Sequence, residues 1–164
     1  VPRPELTVDE IMAILPATFA RLADLTQRLS VAQLHALPEP EEWSASEILA
    51  HLRACQDVLG ANIRRIVTED RPTWKRRSPR EWHRKSGYGA WEFGSALEAF
   101  SDGRTELLAF LEPLQPRDWE RVAVVTLAPG RTAEQTARFF GDWLAGHERD
   151  HLEQLERTVA AVER

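Results

Sequence analysis

The sequence reads as an all-α protein, a four-helix bundle with a long crossover between its second and third helices. Three observations predict this. Apolar residues recur at steps of three and four in four separate stretches, the spacing of helices with one buried face. Three of those stretches open on Ser/Thr-x-x-Glu/Gln, the pattern of a reciprocal helix cap. No set of alternating stretches reads convincingly as paired strands. The 164 residues, 43% of them hydrophobic, are enough for a single domain, residues 1–164, around one core.

The first helix is predicted to start at Thr7-Val8-Asp9-Glu10, with Leu6 and Ile11 packing across the cap. Its apolar face runs Val8, Ile11, Met12, Leu15, Phe19, Leu22, Leu25 and Leu29. Pro16 falls on that stretch and removes a backbone donor at about 3 kcal/mol, so a kink or local break is expected there. Residues 30–37 form a short capped turn and Pro38-Glu39-Pro40 a loop. The second helix opens at Ser44-Ala45-Ser46-Glu47, with Trp43 and Ile48 as its staple, and continues through Leu52, Cys55, Leu59, Ile63 and Ile66 to about Thr68.

Periodicity stops over residues 69–94, where Pro72, Pro79, Gly87 and Gly89 alternate with Trp74, Trp82, Tyr88 and Trp91. A connection this long is a functional cover or a mobile segment, and the aromatics favour one that packs down. A third helix follows from about Ser95 through Leu97, Phe100, Leu107, Leu108 and Leu111, closed by Pro113 and Pro116. Residues 121–127 are β-branched and compatible with an extended segment, and Pro129-Gly130 is a turn. Thr132-Ala133-Glu134-Gln135 then reads as the cap of the last helix, which runs to about Val159.

Composition narrows the function. No apolar run approaches the roughly 20 residues of a membrane span. Twenty-one Lys and Arg against 26 Asp and Glu give a net charge of −5, the wrong sign for a chain that coats nucleic acid. Val1-Pro2-Arg3-Pro4-Glu5 do not form a charged-then-apolar leader, and the single cysteine, Cys55, has no internal partner, so a reducing cytoplasm is expected.

Chemistry concentrates in the last helix, whose inward seam reads Ala137, Phe140, Leu144, His147, His151, Leu155 and Thr158. Two imidazoles one turn apart on an apolar seam lie roughly 5–6 Å apart and can converge on one ion. As plain core residues, both would need polar partners in a desolvated place. His51, on the edge of the second helix's apolar face, is the candidate third ligand. His35 and His83 are not placed inward by helix periodicity. Three imidazoles would leave a coordination position open for water or substrate, the arrangement of a catalytic site. His147-Glu148-Arg149-Asp150-His151 also spells H-E-x-x-H, the zinc-protease signature with Glu as general base. Those enzymes take a third ligand from further along and run a substrate strand beside the helix, whereas the residues after His151 read as the end of the same helix. Glu148 is therefore read as a solvated surface charge.

Neighbouring residues carry weaker signals. Glu47, Asp150 and Gln154 lie within about a turn of the histidines, although the cap already explains Glu47. Cys55, one turn after His51, is either an extra ligand or redox thiol, or, as cysteine usually is, a small buried hydrophobe. Arg104 interrupts the third helix's seam: it either snorkels out of the core or anchors an acidic group of a cofactor or ligand near the metal. Residues 71–85 hold seven basic side chains against Glu81 alone, interleaved with Trp74 and Trp82. That segment reads as a solvated loop capping the bundle, as a lure for an anionic small molecule, or as a grip on single-stranded nucleic acid, the last opposed by the acidic remainder.

Residues 43–52, Trp43-Ser44-Ala45-Ser46-Glu47-Ile48-Leu49-Ala50-His51-Leu52, followed after the crossover by residues 146–155 with His147 and His151, resemble the DinB/YfiT-like superfamily. The resemblance spans essentially the whole helix order. It implies a four-helix bundle in which His51, His147 and His151 bind a divalent metal, commonly Zn or Ni. It further implies homodimers, and in some members transfer of a low-molecular-weight thiol such as bacillithiol or mycothiol, or a mycothiol-dependent isomerisation. The expected function is thus a metal-dependent thiol S-transferase acting on small electrophiles. A non-catalytic metal-binding or structural bundle and a small metal-dependent hydrolase are the alternatives.

Overall fold

The computed structural model describes residues 4–164. The leader reading of Val1, Pro2 and Arg3 lies outside the described residues. In chain order the elements are α1 (Val8–Thr26), α2 (Val31–His35), α3 (Ala45–Thr68), β1 (Thr73–Lys75), α4 (Pro79–Ser86), a 3-10 turn (Tyr88–Ala90), α5 (Phe93–Leu111), α6 (Pro116–Trp119), β2 (Val122–Ala128), β3 (Arg131–Thr136) and α7 (Ala137–Val162). The long helices α1, α3, α5 and α7 form the bundle. A three-stranded sheet stands beside them, with β1 parallel to β2 and β2 antiparallel to β3. The protein is therefore mostly helical but not strictly all-α. No helix among the described residues is long and apolar enough to cross a membrane.

Local sequence sets the two helix starts that matter most. At α1, Thr7 accepts from the Glu10 N–H while the Glu10 carboxylate accepts from the Thr7 N–H. Ser44 and Glu47 do the same at α3. Each such cap contributes about 0.5–2 kcal/mol and fixes where the helical register begins. α1 runs unbroken through Pro16, so the expected break does not occur. Ile11, Leu15 and Leu22 on the same helix are buried to within 2% of full enclosure. At about 1.5–3 kcal/mol each, their burial outweighs one proline.

The crossover is built rather than loose. Three residues of it, Thr73 to Lys75, pair with Val124 to Thr126, and the next eight-residue helix starts on Ser78 with Pro79 in its first turn. Gly87 ends that helix at φ 68°, a conformation glycine adopts without strain. Trp82 is buried, Trp74 half-buried and Trp91 exposed, so the crossover aromatics are only partly packed down.

The third capping box is a misreading. Thr132, Ala133, Glu134 and Gln135 belong to β3, and α7 begins at Ala137 on Thr136. The sequence Pro129-Gly130 turns the chain, with Gly130 at φ 71°, and Ala123 and Val125 of β2 are fully buried. Pairing with residues 131–136 satisfies the backbone groups of that buried strand, a demand a four-residue motif does not register.

A candidate metal centre

His51 sits on the second turn of α3, the helix with the most buried residues, and is itself 2% exposed. Across from it, α7 presents half-buried His147 and His151. The Nε2 atoms of His51 and His147 lie 2.8 Å apart, and one donor nitrogen from each of the three rings falls within 4.8 Å of the others. Three lone pairs converging at that scale fit a single divalent ion, and imidazole suits Zn, Ni, Cu or Fe alike.

Electrostatics keeps the rings in the ligating form. Burial, reinforced by the neighbouring His151, His147 and His83, pushes His51 down to about 3. Burial and His151 push His147 down to about 4, against a smaller upward pull from Asp150. His151 is also lowered by burial, opposed by Gln154 and Asp150. All three are neutral at pH 7, as metal ligation requires. His151 Nδ1 lies 2.8 Å from Gln154 Oε1, an acceptor, so the Nδ1 proton points at Gln154 and the Nε2 lone pair is left for an ion.

Trp43 walls the site. As the residue before the α3 cap, it is held against the rings of His51 at 4.9 Å and His151 at 5.9 Å, nearly parallel to the latter at 9°. It also stacks on His83 at 5.6 Å. Sequence periodicity left His83 outside the site, yet α4 carries its ring to 5.8 Å from that of His51. The signal that could have found it is Ser78-Pro79-Arg80-Glu81, a helix start inside the crossover. Above the triad opens a cavity of about 880 Å³. Glu41, Glu42 and Trp43 form one rim, Ser78, Pro79 and Arg80 another, and Gln154 completes the lining. Glu41 holds φ at 71°, the left-handed region that a non-glycine residue adopts only under constraint.

Several expectations are corrected here. Glu148 is not a surface charge: it is 1% exposed and ion-paired to Arg104 through both terminal guanidinium nitrogens, Nη1 and Nη2. Thr18 also donates to it at 2.7 Å. Arg104 does not snorkel, and its donors go to protein groups. It is 3% exposed, and its Nε donates to Gln56 at 2.6 Å while Nη1 donates to the Leu15 carbonyl as well as to Glu148. Glu148 is therefore unavailable as a general base of the H-E-x-x-H kind. Glu47 remains a cap, and His35 is exposed on α2. Cys55 lies 3.6 Å from His51 Nε2, fully buried, and burial pushes its thiol up to about 12, so it stays protonated core. Of the seven basic crossover residues Arg80 lines this cavity, opposite Glu41 and Glu42.

A sequence model of the DinB superfamily matches residues 14–155. The uncharacterized protein YuaE of Bacillus subtilis (strain 168) is 30% identical over 152 residues, covering 83% of this chain and 89% of its own. Among solved structures, YfiT from Bacillus subtilis superposes with a TM-score of 0.77 over 96% of this chain and 90% of its own, at 14% identity. YfiT is described as a "probable metal-dependent hydrolase with an unusual four-helix bundle topology". Its likeness extends to the fold. The family match runs through α3 and α7, the helices that bring the three histidines together, and the chain belongs to the DinB superfamily.

Proposed function

We propose that the protein is a divalent-metal-dependent transferase that moves a low-molecular-weight thiol onto a small electrophile, with His51, His147 and His151 holding the ion. One observation carries this reading: three neutral imidazoles converge beneath an 880 Å³ cavity, while the adjacent carboxylate, Glu148, is locked to Arg104. A bound divalent ion supplies an electrostatic lowering of the pKa of a thiol or water in contact with it. A thiol starts near pKa 8.5, roughly seven units below water, and so has least need of the side-chain base that Glu148 cannot provide. Gln154 orients His151, and Trp43 and Pro79 supply apolar wall beside the polar groups of the cavity. A second reading, metal-dependent hydrolysis, is favoured by the description of YfiT and by the same open site.

The test begins with elemental analysis of untagged protein beside His51→Ala and His147→Ala. About one ion per chain, lost in both variants, supports the triad. Thiols are then screened against electrophiles, with test esters assayed in the absence of thiol. Thioether formation that requires both thiol and metal sustains the transferase. Ester turnover without thiol transfers the conclusion to the hydrolase, and wild-type protein that refuses Zn and Ni on titration overturns both.

A further inference from the structure

A second cavity, of about 330 Å³, lies further along the same pair of helices and shares no lining residue with the first. Arg65 of α3 and Lys75, Arg76 and Arg77 of the crossover supply its charge. Trp74, Trp82, Phe140 and Trp143 supply its surface. The rings form one continuous apolar floor: Trp82 meets Trp143 at 5.4 Å, Phe140 meets Trp143 at 6.3 Å and Trp74 meets Phe140 at 5.7 Å. Two guanidinium groups stand over this floor, Arg65 at 5.1 Å from the Trp74 ring and Arg76 at 5.9 Å from Trp143.

The charges are only partly met by carboxylates: Glu81 lies within electrostatic range of Arg77, and Asp142 shares a neighbouring depression with Arg76. Among the described residues Lys75, Arg76 and Arg77 form no ion pair, and no carboxylate lines the groove. Arg65 shares its charge with Glu69 at 3.0 Å. Asp142 lines a contiguous depression together with Arg76, Gln135 and Trp143, and accepts the Leu6 N–H at 2.7 Å. Three consecutive cations on exposed chain repel one another, and a single anion between them relieves that repulsion. An aromatic floor adds stacking and dispersion for a flat apolar body.

We propose that this groove is a second binding site, for a small organic anion built on one or two fused aromatic rings. A volume near 330 Å³ is the small end of the range for ligand pockets and holds such a molecule, carboxylate or phosphate included. Buried Trp82 at its wall and the acidic remainder of the chain disfavour a polymer. The site does not depend on the histidines.

Calorimetric titration of the full-length protein with 2-naphthoate and with AMP tests this, one probe for each source of anion. 2-Naphthalenemethanol and inorganic phosphate each supply half of the recognised chemistry. One anion per chain is expected, bound at least about tenfold more tightly than either half-probe. Raising the salt concentration weakens that binding in the wild-type protein. The double variant Arg76→Glu/Arg77→Glu, which alters exposed side chains, weakens it by at least about tenfold, while His151→Ala leaves it unchanged. Tighter binding of 2-naphthoate identifies a carboxylate ligand, and of AMP a phosphate ligand. The proposal is overturned by absence of binding up to about 5 mM, by equal affinity for 2-naphthalenemethanol, or by loss of binding in His151→Ala. Binding of a ten-residue oligothymidylate at least about tenfold tighter than AMP overturns it in favour of single-stranded nucleic acid.

Discussion

Two polar clusters occupy the interior of one bundle, and they touch α7 at consecutive residues. His147 belongs to the triad and Glu148 to the Arg104 network, yet the two clusters are opposites. In the network every strong group has a protein partner: Arg104 reaches Glu148, Gln56 and Leu15, Thr18 reaches Glu148, and Gln56 donates to the Phe100 carbonyl at 3.3 Å. Gly103 permits this closeness, because a Cβ there would lie 2.7 Å from the Gln56 amide nitrogen. In the triad the donor nitrogens face one another and an open cavity, and among the described residues His51 Nδ1 has no hydrogen-bond partner. The closed cluster ties α1, α3, α5 and α7 at one level and so sets the rotation of α7. The open cluster uses that rotation to aim its ligands.

The sharpest way to break the comparison is to open the closed cluster. Glu148→Ala leaves the Arg104 guanidinium buried without its carboxylate, and should destabilise the protein by about 3–5 kcal/mol in urea unfolding. Arg104→Met/Glu148→Leu should recover most of that, since an apolar pair of similar volume carries no stranded charge. A Glu148→Ala protein within about 1 kcal/mol of wild type would mean that the network does not set the bundle.

Acid probes the open cluster. His51 near 3 and His147 near 4 are lowered relative to the unfolded value of about 6.5, so the unfolded chain binds more protons between these limits. Metal-free protein should be most stable above about pH 6.5 and lose stability steadily as pH falls towards 4, with up to about two protons taken up on unfolding. A stability profile flat from pH 7 to 4 would show the rings to be solvated. The smallest effect is expected from Gln154→Ala, which removes the acceptor behind His151 without touching an ion. Metal affinity, measured by competition with a chromophoric chelator, should weaken by about tenfold while metal-free stability is unchanged. Equal affinity would assign the orientation of His151 to Trp43 alone.

What could be read from sequence follows the range of the interaction. Caps at Thr7 and Ser44 depend on four adjacent residues, and both formed as written. The spacing of His147 and His151 on an apolar seam, with His51 on a facing helix, likewise brought three rings together. Glu148 was misread because one helical step from His147 looks like a turn toward solvent. On α7 that step meets Arg104, 44 residues away in sequence, and no local pattern records such a partner. Residues 132–135 satisfied the capping motif by letter while β2 claimed them as a strand. His83 was missed because its helix lies in a stretch without apolar periodicity.

The triad is also a matter of timing. His51 is synthesised 96 residues before His147, an interval of about 5–20 s at ordinary rates of translation. During that time it is one imidazole among many that can meet an ion, with nothing to hold it. The histidines come together only when α7 docks against α1 and α3, and that docking is the same event that buries Glu148 on Arg104. An ion held by all three rings is therefore one acquired by the folded protein rather than the nascent chain, and the choice among Zn, Ni, Cu and Fe falls to whichever is available to folded molecules.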